Sequence, residues 1–116
     1  MRAERITASV TYHGEGPVWW EATRELRFVD MLHGAVVALA ESGATHRLPV
    51  GSPVAAVIRP RTGGGAIVAR ERDIALARSE DLSDLAPVTP DFVPKGQRLN
   101  EGGCDPLGRF LVGGMA

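Results

Sequence analysis

Residues 14–20 read Gly-Glu-Gly-Pro-Val-Trp-Trp, which places one carboxylate between two glycines with an apolar run close behind them. Glycine weakens the interior of a strand, so two glycines around one carboxylate indicate a backbone that must approach another group closely. We therefore predict that Glu15 faces a ligand. On composition alone, the competing interpretation is an exposed glutamate in a glycine turn.

Short apolar runs separated by polar or glycine-containing turns fill most of the chain, and such runs are typical of strands. Residues 5–12 are rich in β-branched types and also predict a strand. A short helix over 79–86, with a capping serine and acids in its first turn, is the competitor for one of the later strands. Two sets of four runs each predict an antiparallel sheet, and they lie at 17–20, 26–31, 35–40 and 46–50, and at 54–59, 66–70, 73–78 and 84–88.

The two sets of strands repeat each other. Residues 20–29 align with residues 59–68 at an offset of 39 positions, and residues 105–113 begin the same strand-turn-strand pattern again. A third sheet is accordingly predicted to begin with strands at 99–105 and 109–115. A period of about 40 residues with four strands per repeat is typical of β-propeller blades. A small β-sandwich, which also has short strands at regular spacing, is the alternative.

Composition narrows the classes of partner. The chain has 116 residues, of which 44% are hydrophobic, and this suits one small domain with a modest core. Its 13 basic and 14 acidic residues are spread without blocks and give a net charge of -1, so no nucleic-acid or membrane partner is predicted. The opening residues lack the apolar region of a secretory signal, so a cytoplasmic location is expected. The single cysteine, Cys104, excludes an internal disulfide and is predicted to be a small buried side chain.

Arg98 and Asn100 form a second candidate for ligand contact. Strand alternation places residues 98 and 100 on the same side, so a guanidinium and a carboxamide would point together at one ligand. Such a pair suits a ligand that carries hydroxyl and carbonyl groups. The alternative, a solvated edge arginine followed by a turn-forming asparagine, fits these two residues equally well.

The remaining polar and aromatic residues are interpreted as structural. His13, His33 and His46 lack the spacing of a metal triad and are predicted to be solvated, with His13 the one nearest Glu15. Asp30 ends a buried strand and is predicted to bind backbone groups, with no part in the chemistry. The large apolar residues predicted to pack between sheets are Trp19, Trp20, Leu26, Phe28 and Phe110.

Three stretches together resemble the SMP-30/gluconolactonase/regucalcin family. They are Gly14-Glu15-Gly16-Pro17-Val18-Trp19, Leu26-Arg27-Phe28-Val29-Asp30 and Arg98-Leu99-Asn100-Glu101-Gly102-Gly103-Cys104-Asp105-Pro106-x-Gly108-Arg109-Phe110. The resemblance covers nearly the whole chain and implies an all-β fold, the amino-terminal part of a six-bladed β-propeller. It implies about two and a half four-stranded antiparallel blades, with blade 1 at about 15–50, blade 2 at about 54–88 and the start of blade 3 at about 97–116. The strand at 5–12 would then pair with the last blade.

In that family the residue matching Glu15 is a metal ligand, and the residues matching Arg98 and Asn100 contact a sugar lactone. The resemblance therefore implies metal-dependent lactone hydrolysis, with Ca²⁺, Zn²⁺ or Mn²⁺ as cofactor and a small-molecule sugar lactone as partner. Glu101 is included among the substrate-binding residues, because an acid commonly follows this asparagine in the family. The remaining metal ligands and the general base are expected beyond Ala116.

Two other functions stay open beside lactone hydrolysis, because the expected ligands and base do not all lie within residues 1–116. One is a non-catalytic module that binds Ca²⁺ or sugar acids through Arg98 and Asn100, and the other is an inactive propeller fragment. Gly103 stands where many relatives carry a lysine, so the preferred lactone is also open. A chain that leaves blade edges unpaired is expected to self-associate.

Overall fold

The computed structural model describes all 116 residues and shows an all-β chain of three antiparallel sheets. The strand order is β1-β2-β3-β4 in the first sheet, β5-β6-β7-β8 in the second and β9-β10 in the third. A three-residue 3₁₀ helix at Met31–His33 links β2 to β3, and no helix in the structure has the length and apolar character needed to span a bilayer. The strands are β1 Gly14–Trp20, β2 Glu25–Asp30, β3 Ala35–Ala40, β4 Thr45–Pro49, β5 Ala55–Pro60, β6 Ala66–Arg70, β7 Ile74–Ala77, β8 Ala86–Pro87, β9 Arg98–Cys104 and β10 Phe110–Met115.

The strands predicted from the apolar runs are confirmed, and they pair within each predicted set. No helix forms over 79–86, because Leu82 has φ 63, in the left-handed region that ends a right-handed helical turn. Asp84 instead accepts a hydrogen bond from the N–H of Ser79 at 3.1 Å. The last strand of the second sheet, β8, is therefore only two residues long.

The prediction of a strand at residues 5–12 is wrong. Backbone groups of this segment bond to side chains of the first sheet and pair with no neighbouring strand. The carbonyl of Val10 accepts a hydrogen bond from Arg47 at 3.3 Å, and the N–H of Tyr12 donates to Asp30 at 3.1 Å. β-branched composition favours a strand only where a pairing edge is available. The segment before β1 consequently has no regular secondary structure.

The three sheets lie side by side through their first strands, since β5 contacts both β1 and β9. Each first strand contains a β-bulge, in which it has one residue more than the strand beside it. The extra residue lies between Glu15 and Val18 in β1, at Ala56 in β5 and at Asn100 in β9. The sequence repeat therefore has a counterpart in the backbone, because the same irregularity recurs near the start of each sheet. Bulges redirect side chains and often lie beside functional sites.

The main hydrophobic core lies between the first and second sheets. Trp20 and Val29 enter it from the first sheet, and Ile58 and Val68 enter it from the second. Burying one large apolar side chain contributes about 1.5–3 kcal/mol, so this interface holds the two sheets together. The residues predicted for the core that are only partly buried are Leu26, Phe28 and Phe110.

The prediction that Trp19 and Cys104 are buried is wrong. Trp19 points away from Trp20, toward the face of the first sheet that no other sheet covers, and its indole N–H donates to Glu21 at 2.6 Å. Cys104 ends β9 in the two-stranded third sheet, where no further layer covers it. Leu111 of β10 is also exposed, which is consistent with self-association, and self-association itself stays a prediction.

A polar network joins the first two sheets beside this core. The indole N–H of Trp20 donates to Glu80 at 2.7 Å, and Glu80 also accepts the N–H of Gly65 at 2.7 Å. The N–H of Gly65 and the indole of Trp20 lower the pKa of Glu80 below its usual value. The guanidinium of Arg27 lies 4.4 Å from the centre of the Trp20 ring and forms a buried ion pair with Glu25 at 2.8 Å. These contacts fix one orientation of the first sheet against the second.

Gly34, which follows the 3₁₀ helix, is predicted to tolerate no side chain. It has φ 58, and a Cβ at this position would overlap the carbonyl oxygen of Ser52. Gly34→Ala should therefore lower the free energy of unfolding by about 3 kcal/mol, as measured by urea denaturation. Gly43→Ala is the matched control, because Gly43 has φ 88 but open space around it, and it should cost only about 1–2 kcal/mol. Equal losses in the two variants would contradict the steric argument.

Candidate ligand-binding site

Glu15 lies near the start of β1, directly before the bulge, where it pairs with Val29 of β2. Its side chain is 50% exposed, and the one basic side chain within 4 Å of its carboxylate is His13, whose Nε2 lies 3.6 Å from Oε1 of Glu15. Gly16, with φ 58, allows the backbone to bend immediately after Glu15. The carboxylate of Glu15 therefore keeps oxygen lone pairs that an outside ligand can use.

Arg98 and Asn100 are in contact, as their spacing predicts. A terminal nitrogen of Arg98 donates to Oδ1 of Asn100 at 3.0 Å and to the carbonyl of Leu99 at 3.2 Å. Asn100 is the extra residue of the bulge in β9, so its direction depends on the bulge as well as on strand alternation. The second terminal nitrogen and Nε of Arg98 make no hydrogen bond within the chain, so these donors remain for a ligand.

Met31 connects the two halves of this region. The same nitrogen of Arg98 lies 3.1 Å from the sulfur of Met31, and the N–H of Met31 donates to the carbonyl of His13 at 2.9 Å. Met31 is fully buried directly after β2. Because His13 precedes β1 by one residue, Glu15 and the Arg98–Asn100 pair lie at the same end of the first strands. We call this end of the structure, with Glu15, Arg98 and Asn100, the candidate site.

Asp30 is the residue that holds the first sheet's part of the candidate site in place. It is 1% exposed, and its Oδ1 accepts the N–H groups of Tyr12 at 3.1 Å and His13 at 2.9 Å. Its Oδ2 accepts a hydrogen bond from Arg47 at 2.9 Å and lies 3.3 Å from Nδ1 of His33. Burial raises the pKa of Asp30, but the N–H of His13, the guanidinium of Arg47 and the N–H of Tyr12 together lower it below its usual value. The prediction that Asp30 binds backbone groups is confirmed.

Glu101, the remaining predicted site residue, makes no polar contact with the side chains of the candidate site. It pairs with Gly113 of β10, is exposed, and forms no hydrogen bond or ion pair with Arg98 or Asn100. It borders a separate hollow on the third sheet, lined in part by Leu111. Its role in substrate binding stays a prediction.

Oxygen donors suit a hard divalent cation, and Glu15 fits one ligand position for such an ion. Asp30, which pairs with Gly14 across the first two strands, is another carboxylate of this region, but both of its oxygens are already engaged by the chain's own donors. No three His, Cys, Asp or Glu side chains of the chain form a group that could hold a metal ion. The chain thus supplies one available carboxylate at the candidate site.

Comparison with known proteins identifies the family to which this arrangement belongs. The family model described as "SMP-30/Gluconolactonase/LRE-like region" matches residues 13–116. The chain belongs to this family. The match includes Glu15, Arg98 and Asn100, and the three sheets are therefore part of an SMP-30/gluconolactonase propeller-like fold.

Individual members of the family match the chain over much of its length. Regucalcin of Bos taurus is 36% identical over 117 residues, which cover 100% of this chain and 39% of the regucalcin. An uncharacterized protein of Sulfolobus acidocaldarius is 33% identical over 87% of this chain and 35% of its own. The solved structure of a luciferin-regenerating enzyme superposes with a TM-score of 0.74 at 30% identity, over 91% of this chain and 37% of that enzyme. The chain therefore spans a little over a third of the length of these relatives.

Removing the charge of Asp30 tests its role as the support of the candidate site. Asp30→Asn should lower the free energy of unfolding near neutral pH by about 2–4 kcal/mol, because several charge-assisted hydrogen bonds are lost. Asp91→Asn is the matched control: Asp91 is exposed, its only ion pair is with Arg72, and the loss should stay below about 1 kcal/mol.

The pH dependence of the same variant has a definite sign. Because the folded pKa of Asp30 is lowered, its contribution is present above the unfolded pKa and is lost as the pH falls through the folded pKa. The difference in stability between the parent and Asp30→Asn should therefore be constant near neutral pH and shrink as the pH falls below about 4, the ordinary pKa of an aspartate. Urea denaturation at a series of pH values measures it. A difference that stays constant or grows toward acid pH would show that the charge of Asp30 is not what stabilises the segment.

Proposed function

We propose that this chain carries the first part of the site of a hydrolase that opens sugar lactones. The observation that supports it is the Arg98–Asn100 contact at the same end of the first strands as the available carboxylate of Glu15. Family membership adds to it, because gluconolactonase stands in the description of the matched family. A guanidinium and a carboxamide beside a carboxylate suit a ligand that is rich in hydroxyl groups and has one polar carbonyl.

In this proposal Arg98 and Asn100 hold the substrate. The free guanidinium donors and the amide of Asn100 bind substrate hydroxyl groups and so fix the lactone ring in one orientation. Water adds its oxygen to the carbonyl carbon, and the ring C–O bond breaks. The ring oxygen leaves as a hydroxyl group, and one proton is released with the new carboxylate.

Glu15 is the proposed ligand of a divalent cation, for which Ca²⁺, Zn²⁺ and Mn²⁺ are the candidates. When bound, such an ion supplies Lewis-acid polarisation of the ester carbonyl. His13 lies beside the carboxylate of Glu15 at 3.6 Å and helps to set its position. We propose that the remaining metal ligands and the general base belong to residues beyond Ala116, and that the whole protein carries the activity.

A non-catalytic module that binds sugar acids is the second candidate. The observation that favours it is the Arg98–Asn100 contact, whose remaining donors can bind carboxylate and hydroxyl oxygens by themselves. Binding of a sugar acid without turnover would support this module. Turnover that depends on added metal would support the hydrolase.

Substitutions in a protein of the relatives' length that begins with this sequence separate the proposed roles. Glu15→Gln keeps the shape of the side chain but removes the charge, so metal affinity and kcat/KM should fall by about 100-fold. Arg98→Ala removes binding that the ground state and transition state share, so it should chiefly raise KM, by about 10- to 100-fold.

Steady-state lactone hydrolysis and metal titration are the measurements for these variants. Glu21→Gln and Arg5→Ala are charge-matched controls on exposed residues and should leave both constants unchanged. Parent-level turnover and metal affinity in Glu15→Gln would overturn the role given to Glu15.

The 116-residue chain alone is predicted to bind metal weakly and to hydrolyse gluconolactone slowly or not at all. A hard cation needs several oxygen ligands at once, and the chain supplies one available carboxylate, so Kd values above about 0.1 mM are expected for Ca²⁺, Zn²⁺ and Mn²⁺. Calorimetric titration alongside a lactone hydrolysis assay tests this. Micromolar affinity together with metal-dependent turnover from a monomer would show that other residues make the site.

A further inference from the structure

A hollow of about 420 Å³ lies directly beside Arg98, between the turn that follows β6 and the segment that leads into β9. Three basic side chains line its wall, those of Arg72, Lys95 and Arg98, together with one acidic side chain, that of Glu71, and with Ala116 at the end of the chain. Lys95 is also the only lysine of the 116 residues. A ligand held by Arg98 can therefore extend along the surface into this hollow.

Two of the three basic side chains are not neutralised by a carboxylate. Arg72 is engaged, since it pairs with Asp91 at 3.0 Å and donates to the carbonyl of Val93 at 2.7 Å. Arg98 bonds only to uncharged acceptors, and neither Arg98 nor Lys95 takes part in an ion pair. The lost solvation of this half-buried guanidinium is compensated only by neutral acceptors, and a negatively charged ligand would add a charge-assisted hydrogen bond.

The fold holds Lys95 close to Arg98. The N–H of Gln97 donates to the carbonyl of Pro94 at 3.1 Å and closes a turn that contains Lys95. The N–H of Leu99 donates to the carbonyl of Glu71 at 2.8 Å, which ties the start of β9 to the turn after β6. The ammonium of Lys95 is therefore carried on a short, closed turn at the rim of the hollow.

We infer that the sugar ligand of this site carries an anionic group, a carboxylate or a phosphate ester, at the end remote from its lactone carbonyl. This inference rests on the proposed function, because it assumes that Arg98 and Asn100 hold the sugar. The anionic group lies in the hollow, where Lys95 acts as a point charge and Arg98 offers its free planar donors. The substrate class is then lactones of sugar diacids or of phosphorylated sugar acids, in preference to lactones of uncharged sugars.

Binding of open-chain acids to the 116-residue chain tests this without any turnover. The probes are gluconate, which has one carboxylate, glucarate, which has two, and 6-phosphogluconate, titrated at low ionic strength by NMR. Glucarate or 6-phosphogluconate should bind about three- to fivefold more tightly than gluconate, and the advantage should disappear at about 1 M salt. The stronger of the two identifies the anionic group.

Variants separate the hollow from the rest of the site. Lys95→Gln should remove most of the advantage of glucarate or 6-phosphogluconate and leave gluconate binding unchanged, whereas Lys95→Arg should retain that advantage. Arg5→Gln removes one positive charge from the exposed amino-terminal segment and should change nothing. Because Lys95 is the sole lysine, its acetylation by an amine reagent can be followed by peptide mass spectrometry, and the more tightly bound of these two acids should slow it.

The outcomes distinguish failure of this inference from failure of the proposed function. Equal binding of all three acids, weakened equally by Arg98→Ala and untouched by Lys95→Gln, overturns the anionic-substrate inference and supports the proposed substrate contacts. No measurable binding, or binding that Arg98→Ala does not alter, overturns the proposed substrate contacts and this inference with them. A preference for glucarate or 6-phosphogluconate over gluconate that Lys95→Gln leaves intact also overturns the inference.

Discussion

Trp20 is the side chain on which the orientation of the first two sheets depends. Its ring fills the core between them, its indole N–H binds Glu80 of the second sheet's last loop, and Arg27 covers its face. An aromatic ring with a satisfied polar edge combines a large buried area with a directional bond, so it fixes an angle as well as a distance. The second sheet's first strand, β5, is thereby held against β1, and β9 is placed next to β5 in turn.

Because β1, β5 and β9 lie side by side, the starts of these three first strands lie at the same end of the structure. The candidate site is built from β1 and β9, with β5 between them, and β5 supplies the buried alanines 55 and 56 there. The bulge in each first strand gives the backbone a local bend at the same level, which a regular ladder would not allow. At this end the outer two strands carry the polar residues Glu15, Arg98 and Asn100, and the middle strand carries the buried Ala55 and Ala56.

Much of this architecture could be predicted from sequence, because strands and turns are local signals. Alternating apolar runs with glycine or polar turns gave the first two sheets, and the unusual setting of Glu15 indicated a ligand. The strand predicted for residues 5–12 was wrong, because β-branched residues form a strand only where a neighbouring strand offers an edge to pair with. Local sequence does not specify that edge. The predicted burial of Trp19 and Cys104 was wrong for a related reason. Which face of a sheet another sheet covers depends on where the other sheets lie, and local sequence does not specify this.

The polar contacts that support the site were beyond sequence reasoning. Trp20 and Glu80 are 60 positions apart, and Asp30 binds Arg47 and the main chain of Tyr12 through three-dimensional proximity alone. One signal was available: Arg27 interrupts the apolar residues 26–29 of β2, and a charge in such a place indicates a buried partner. Sequence reasoning also could not place Lys95 in the same hollow as Glu71 and Arg72, which lie on a turn more than 20 residues earlier in the chain.

The central claim is that the chain has a single ligand site where β1 and β9 begin. The most direct test is to add Mn²⁺ to the 116-residue chain and to measure the paramagnetic broadening of its amide resonances by NMR. The method detects weak binding, so a site with one available carboxylate is within its reach. The account predicts selective broadening of amides at residues 13–16 and 29–31, and gluconate should shift resonances of residues 98–100 in the same sample. Broadening centred on the acidic loop at residues 79–84, with residues 13–16 unaffected, would contradict it.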